Sequence, residues 1–370
     1  MHKPAAASLA SRLPAGATGA LLACMLSASA LLCAGAHAQA PEYKFDAEWP
    51  QLPLPNKWWM QGVTGLYVDH EDIIWVLNRP SNLNNTEDYA QLDPPTGECC
   101  VAPPAVIAFD TEGNVVEYWD TQEGHGMTVD TEGHVWVGQD TVRKYTRDGT
   151  LVAEVASVDR DTNPPPDTPA VVGGLEEVRV DEAAREVFYV DNYLNGRVMV
   201  HDMDTLEFKR GWGAYGKPLA KISMDAPDLE YEIGAPPAQE WLGHVTLGLS
   251  NDGLVYVADR QGNRIQVFTT AGEYIEEFFL ATSTLQRGSA GGVSFSHDPE
   301  QQYLIIPDIQ NNTVWILNRE NGEVVTRVGS AGDNGGQFHG MHMVSVDSQG
   351  NLYTGEVQQG ERVQRFRLTN

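Results

Sequence analysis

Three histidines far apart in the chain, His125, His244 and His342, each stand at the entrance of a short apolar strand pattern. Neutral imidazole is a good zinc ligand. Three protein nitrogens with an open fourth position suit catalysis, whereas four closed ligands suit a structural ion. No two of these histidines are neighbours in sequence, so spacing alone does not unite them. Their equivalent place in a repeat does, and without a metal each would be a polar residue bonded to backbone or water. Arg79 and Arg260 end two apolar runs, Trp75-Val76-Leu77-Asn78-Arg79 and Tyr256-Val257-Ala258-Asp259-Arg260. Tyr193 takes the matching place after Val190-Asp191-Asn192. A cation beside a tyrosine makes the phenol more acidic and a usable base, and a guanidinium grips a carboxylate at two points. On an acidic chain the same arginines also have a plainer use, pairing with carboxylates such as Asp259. His339 is close enough to His342 to compete as a ligand, while His134 follows a turn glycine and is expected at the surface.

The elements that must position these side chains follow one pattern. Residues 124–138 read as two short strands: Met127 and Val129 alternate with Thr128 and Asp130, Thr131-Glu132-Gly133 makes a turn, and Val135 and Val137 resume the alternation. The skeleton of apolar-x-Val-Asp, a glycine turn and an apolar run recurs about six times at roughly 45–70-residue intervals. A unit of four short strands cannot bury both faces alone, but six packed radially can, around a central channel. The chain is therefore expected to be all-β, a six-bladed β-propeller of NHL-like repeats over residues 62–370. Residues 39–61 would be an N-terminal extension along its edge. The first strand of each blade lines the channel, which is how distant histidines can face one point. Segments 80–104, 159–169 and 213–240 read as long loops.

Residues 1–38 have the form of a secretory signal peptide: Lys3 and Arg12, an apolar run to Leu32, and the small-residue site Ala36-His37-Ala38, with Ala38-Gln39-Ala40 as a second option. Cys24 after Leu21-Leu22-Ala23 is a weak lipoprotein sign, because the apolar run continues past it. The expected location is secreted or periplasmic, with no membrane anchor after leader removal. The net charge is −27; without Lys3 and Arg12 the basic residues fall from 24 to 22 against 51 acids, giving −29. Such acidity argues against nucleic acid and anionic membrane as partners. Only Cys99 and Cys100 of the four cysteines lie beyond the leader, so no disulfide framework exists. A vicinal disulfide and two free thiols both stay open.

From about residue 62 to residue 368 the chain resembles the peptidyl-α-hydroxyglycine α-amidating lyase family, six-bladed propellers of NHL-like repeats with a zinc ion in the channel. His125-Gly126-Met127-Thr128-Val129-Asp130, Gly243-His244 and Met341-His342 match the family's three zinc-histidine motifs in order. Val257-Ala258-Asp259-Arg260 with Asn263-Arg264-Ile265-Gln266 matches its arginine segment, Asp191-Asn192-Tyr193-Leu194-Asn195-Gly196-Arg197 its tyrosine segment, and Asn78-Arg79 its other arginine. The resemblance implies that zinc on His125, His244 and His342 polarises an N-acyl-α-hydroxyglycine, a small-molecule or peptide carbinolamide. Tyr193 is then the general base, and Arg79 and Arg260 hold the substrate carboxylate. The products are an amide and glyoxylate. It also implies a structural calcium on the backbone oxygens of Leu66 and Met127, but Met343 stands where the family has an aspartate ligand, and a thioether is a poor calcium ligand. The family's disulfides have no counterpart. A non-catalytic NHL propeller that binds a protein or small ligand is the rival expectation. A lactonase-type propeller needs Glu, Asn and Asp ligands at the blade mouths, where histidines stand instead.

Overall fold

The computed structural model describes residues 40–84, 86–224 and 230–370. The leader, with Cys24 and Cys33, lies outside the described residues, as does the stretch 225–229 of the third long segment. Six antiparallel sheets follow one another along the chain, so the fold is an all-β, six-bladed β-propeller. In blade one the strands run Gly62–Val68, Ile74–Arg79, Val106–Phe109 and Val115–Trp119, paired in that order. The first strands of blades two to six are Met127–Val129, Leu175–Asp181, Val245–Leu249, Ser294–Phe295 and Met341–Val346. They contact one another around the ring, as when Gly62–Val68 meets both Met127–Val129 and Met341–Val346.

The recurring aspartate of the repeat has a mechanical explanation. The Asp69 backbone N–H donates to the Ile73 carbonyl at 3.0 Å, and its Oδ1 accepts from the N–H groups of Glu71 and Ile73. Its Oδ2 accepts from the Trp75 indole at 2.8 Å. Asp130 repeats this with His134 and the Trp136 indole, and Asp347 with Asn351 and the Tyr353 hydroxyl. One carboxylate thus closes the hairpin between the first two strands and anchors a buried ring, each bond worth about 1 kcal/mol. At the next turn Asp191 and Asp259 pair with Arg197 and Arg264, fully buried and 2.8 and 3.0 Å apart. Asp259 therefore serves Arg264 and leaves Arg260 free of it.

The apolar cores lie between blades. Trp75 and Leu77 of blade one pack with Met127 and Val135 of blade two, and Val63 and Ile74 pack with Met343 and Tyr353 of blade six. Burial on both faces explains why the second strands read as continuous apolar runs. Residues 39–61 include a strand, Tyr43–Asp46, which pairs antiparallel with Val363–Leu368 as the outer strand of blade six. Asp46 Oδ2 accepts from Arg365 Nη2 at 2.6 Å and Arg367 Nε at 2.7 Å, fastening the two chain ends together. The long segment expected from residue 213 begins after an outer strand, Phe208–Gly213, and contains a further two-residue strand, Lys217–Pro218. In segment 80–104, Cys99 and Cys100 are joined by a disulfide, one of the two states left open by the sequence.

Candidate metal centre

The propeller brings His125, His244 and His342 together. One ring nitrogen from each lies within 4.8 Å of the others. The ring centroids of His125 are 5.1 Å from His244 and 4.9 Å from His342. Gly126 shows how His125 is held. Its φ is +76°, and a Cβ there would lie 2.5 Å from Glu177 Cα, so only glycine lets blade two press this closely on blade three.

Hydrogen bonds fix the tautomers. His125 Nδ1 donates to the Glu176 carbonyl at 2.7 Å and His342 Nδ1 to the Val63 carbonyl at 3.0 Å, since a carbonyl can only accept. Their Nε2 atoms are then bare lone pairs, and they face each other 3.3 Å apart. Two such atoms cannot bond to each other. Ligands of a tetrahedral zinc, bound at about 2.0–2.1 Å, are separated by about 3.3 Å. His244 Nδ1 lies 2.7 Å from Glu176 Oε2, and its buried Nε2 has no partner. Burial holds His125 and His244 well below the usual histidine pKa. His342 falls to about 3, first through burial and then through His244. Neutral, oriented imidazoles with lone pairs converging are a donor set that fits zinc.

The same cavity, about 290 Å³, is lined by Thr64, Glu176, Arg79, Arg260 and Arg287 as well as the three histidines. Burial raises the Glu176 pKa, opposed by His125, Arg260 and Arg79. Burial lowers that of Arg260 to about 10, with Glu176 opposing and Arg287 adding to the fall. Arg79 and Arg260 thus gather where the sequence pattern puts them. Tyr193 does not join them: it is not among the described residues lining the cavity, and its hydroxyl donates to the Pro164 carbonyl at 2.8 Å. His339 is likewise apart, paired with Asp333 at 2.8 Å.

Glu176 was not singled out by sequence, although a signal exists. It stands five residues before Asp181, as His125 stands before Asp130, His342 before Asp347 and Thr64 before Asp69. These are one register position in blades one, two, three and six. Arg287 lies in an irregular segment between blades four and five, where no periodicity points to it.

The residues do not fit the calcium implied at Leu66 and Met127. The Met127 carbonyl accepts from Arg179 Nη1 at 2.8 Å, so a fixed cation already holds that oxygen. The same nitrogen donates to Glu177 Oε1 at 2.6 Å and the Val178 carbonyl at 2.8 Å. No calcium chemistry is assigned.

No family model matches the chain. Peptidyl-glycine alpha-amidating monooxygenase B of Xenopus laevis is 22% identical over 323 residues, 84% of this chain and 34% of that protein. Its form A is 23% identical over 84% of this chain and 32% of its own length. The chain therefore spans about a third of these relatives. NHL repeat-containing protein 3 of Mus musculus is 25% identical over 75% of this chain and 70% of its own. Among solved structures, a streptogramin B lyase covers 89% of this chain and 98% of its own at TM-score 0.51 and 12% identity. A Bacteroides thetaiotaomicron protein of unknown function covers 90% and 73% at TM-score 0.54 and 16% identity. The structural likenesses establish the fold, and the sequence likenesses connect an NHL-type propeller with distant relatives that include the amidating monooxygenases.

Proposed function

We propose that the chain is an exported zinc-dependent lyase that cleaves the N–C bond of an N-acyl-α-hydroxyglycine to an amide and glyoxylate. One observation carries the proposal: three oriented neutral histidines and three arginines share one cavity in a strongly acidic protein. His125, His244 and His342 would hold the metal, which supplies a Lewis acid for the substrate oxygen. Arg79 and Arg260 hold the substrate carboxylate beside the reacting carbon. The hydroxyl proton leaves to a base, the C–O bond becomes the carbonyl of glyoxylate, the C–N bond breaks, and the base returns the proton to the departing nitrogen, which leaves as the amide. Tyr193 is the proposed base. Its hydroxyl must exchange the Pro164 carbonyl for the substrate.

The test is glyoxylate release from α-hydroxyhippurate by the protein with its leader removed, with zinc measured alongside. Tyr193→Phe should slow release by about a hundredfold or more with zinc retained. If it is as active as the unaltered protein, Tyr193 is not the base, and Glu176 is the carboxylate left in the cavity to take the proton. A zinc-loaded protein that releases no glyoxylate refutes the lyase. The fuller coverage of NHL repeat-containing protein 3 favours a second reading, a ligand-binding propeller without catalysis. A metal-free preparation with all three histidines intact would support that reading.

A further inference from the structure

The lyase reading uses two arginines, and the cavity has three. None of Arg79, Arg260 and Arg287 is ion-paired among the described residues; Arg260 is half-buried, and Arg79 and Arg287 reach solvent where they line the cavity. Arg260 Nε is buried with no partner. The one carboxylate lining the cavity, Glu176, already faces His244 at 2.7 Å. The lining thus sets three cations against one anion before any metal is added.

The third arginine is held there by the backbone. Gly288 has φ +71°, and a Cβ on it would lie 1.8 Å from the Arg260 carbonyl oxygen. The chain after Arg287 is therefore pressed onto Arg260 in a way only glycine permits, bringing two like charges to one cavity. Burial orders the lining: the three histidines are buried, Arg260 is half-buried, and Arg79 and Arg287 reach solvent. Arg287 therefore lies toward the mouth of the cavity, away from the histidines. A carboxylate held beside the reacting carbon by Arg79 and Arg260 leaves Arg287 for the acyl end of the substrate. A cavity of about 290 Å³ suits a short acyl group.

We infer that the acyl group carries a second carboxylate, bound by Arg287, so that the substrate is a dianion built on a short dicarboxylic acid. The inference rests on the lyase reading for its orientation, but its test does not need turnover. N-succinylglycine and N-butanoylglycine lack the reacting hydroxyl, are equal in length and differ by one carboxylate. They are titrated calorimetrically into the zinc-loaded protein. N-succinylglycine should bind about tenfold or more tightly, as expected for one added charge-assisted contact. Arg287→Gln should erase that preference, and Arg287→Lys should keep most of it. Equal binding of the two probes by the unaltered protein, or a preference unchanged in Arg287→Gln, overturns the inference. Release of glyoxylate from N-butanoyl- and N-succinyl-α-hydroxyglycine is measured in parallel. Absence of release from both refutes the lyase and leaves the binding result standing.

Discussion

Removing the Glu176 carboxylate should weaken zinc binding without removing a ligand. Glu176 orients two histidines in different ways: its backbone carbonyl accepts from His125 Nδ1, and its Oε2 lies 2.7 Å from His244 Nδ1 and 3.4 Å from His125 Nε2. Glu176→Ala keeps the backbone contact and deletes both carboxylate contacts. Loss of such an outer partner costs about 10–100-fold in metal affinity, or about 1.4–2.7 kcal/mol. His244→Ala deletes a ligand and should cost more. Competition against a chromophoric zinc chelator at pH 7.5 measures both. A second readout guards against misfolding. The metal-free variant no longer buries this carboxylate and should be as stable as the unaltered metal-free protein or more so. Its thermal stabilisation by a fixed zinc concentration should shrink, by about 2.7 kcal/mol for a hundredfold loss. Zinc affinity within twofold of the unaltered protein would refute the orienting role, and a drop equal to that of His244→Ala would make Glu176 a ligand.

Further outcomes follow from the same contacts. Arg179→Ala should destabilise the protein by about 3 kcal/mol in urea unfolding, because the buried Glu177 loses its cation. Added calcium should not raise the melting temperature of the unaltered protein, and a calcium-dependent rise would restore the site at Met127. Burial lowers the pKa of His125, His201, His244 and His342, which gives the unfolded chain four extra proton sites below about pH 6.5, while burial raises the pKa of Glu176 and lifts that of Glu177 to about 7, which gives the native chain two in opposition. Metal-free stability should therefore fall as pH drops through that value, and a flat urea midpoint from pH 7 to 5 would contradict the burial. Asp46→Ala should loosen the ring by leaving Arg365 and Arg367 unpaired, seen as faster amide exchange along Val363–Leu368.

The second strands are legible because burial on both faces leaves an unbroken apolar run, and the hairpin before them is marked by an aspartate in blades one, two, three and six and by Ser250 and Ser296 in blades four and five. The outer strands were harder. Tyr274–Phe279 and Val324–Val328 meet solvent on one side and keep few buried residues, so their pattern resembles a loop. Tyr43–Asp46 was not legible as a strand because its partner lies at the other end of the chain. At the site, the histidines showed themselves by rarity and repeat position, while Glu176 was one acid among 51. Tyr193 was found by its motif, but where its hydroxyl points depends on the Pro164 carbonyl, which no local pattern encodes.

The pairing of Tyr43–Asp46 with Val363–Leu368 also governs how the molecule can be made. Asp46 and Arg365 are separated by 319 positions, so the first strand of the described residues waits, unpaired, for the last of them. Five blades can assemble in order as the polypeptide lengthens, but the sixth cannot, and closure is a late event of high contact order. A polypeptide cut short by a few residues at the carboxyl end would keep nearly all of its sheets and lose its clasp. It would expose a bare strand edge that proteases or aggregation would find first.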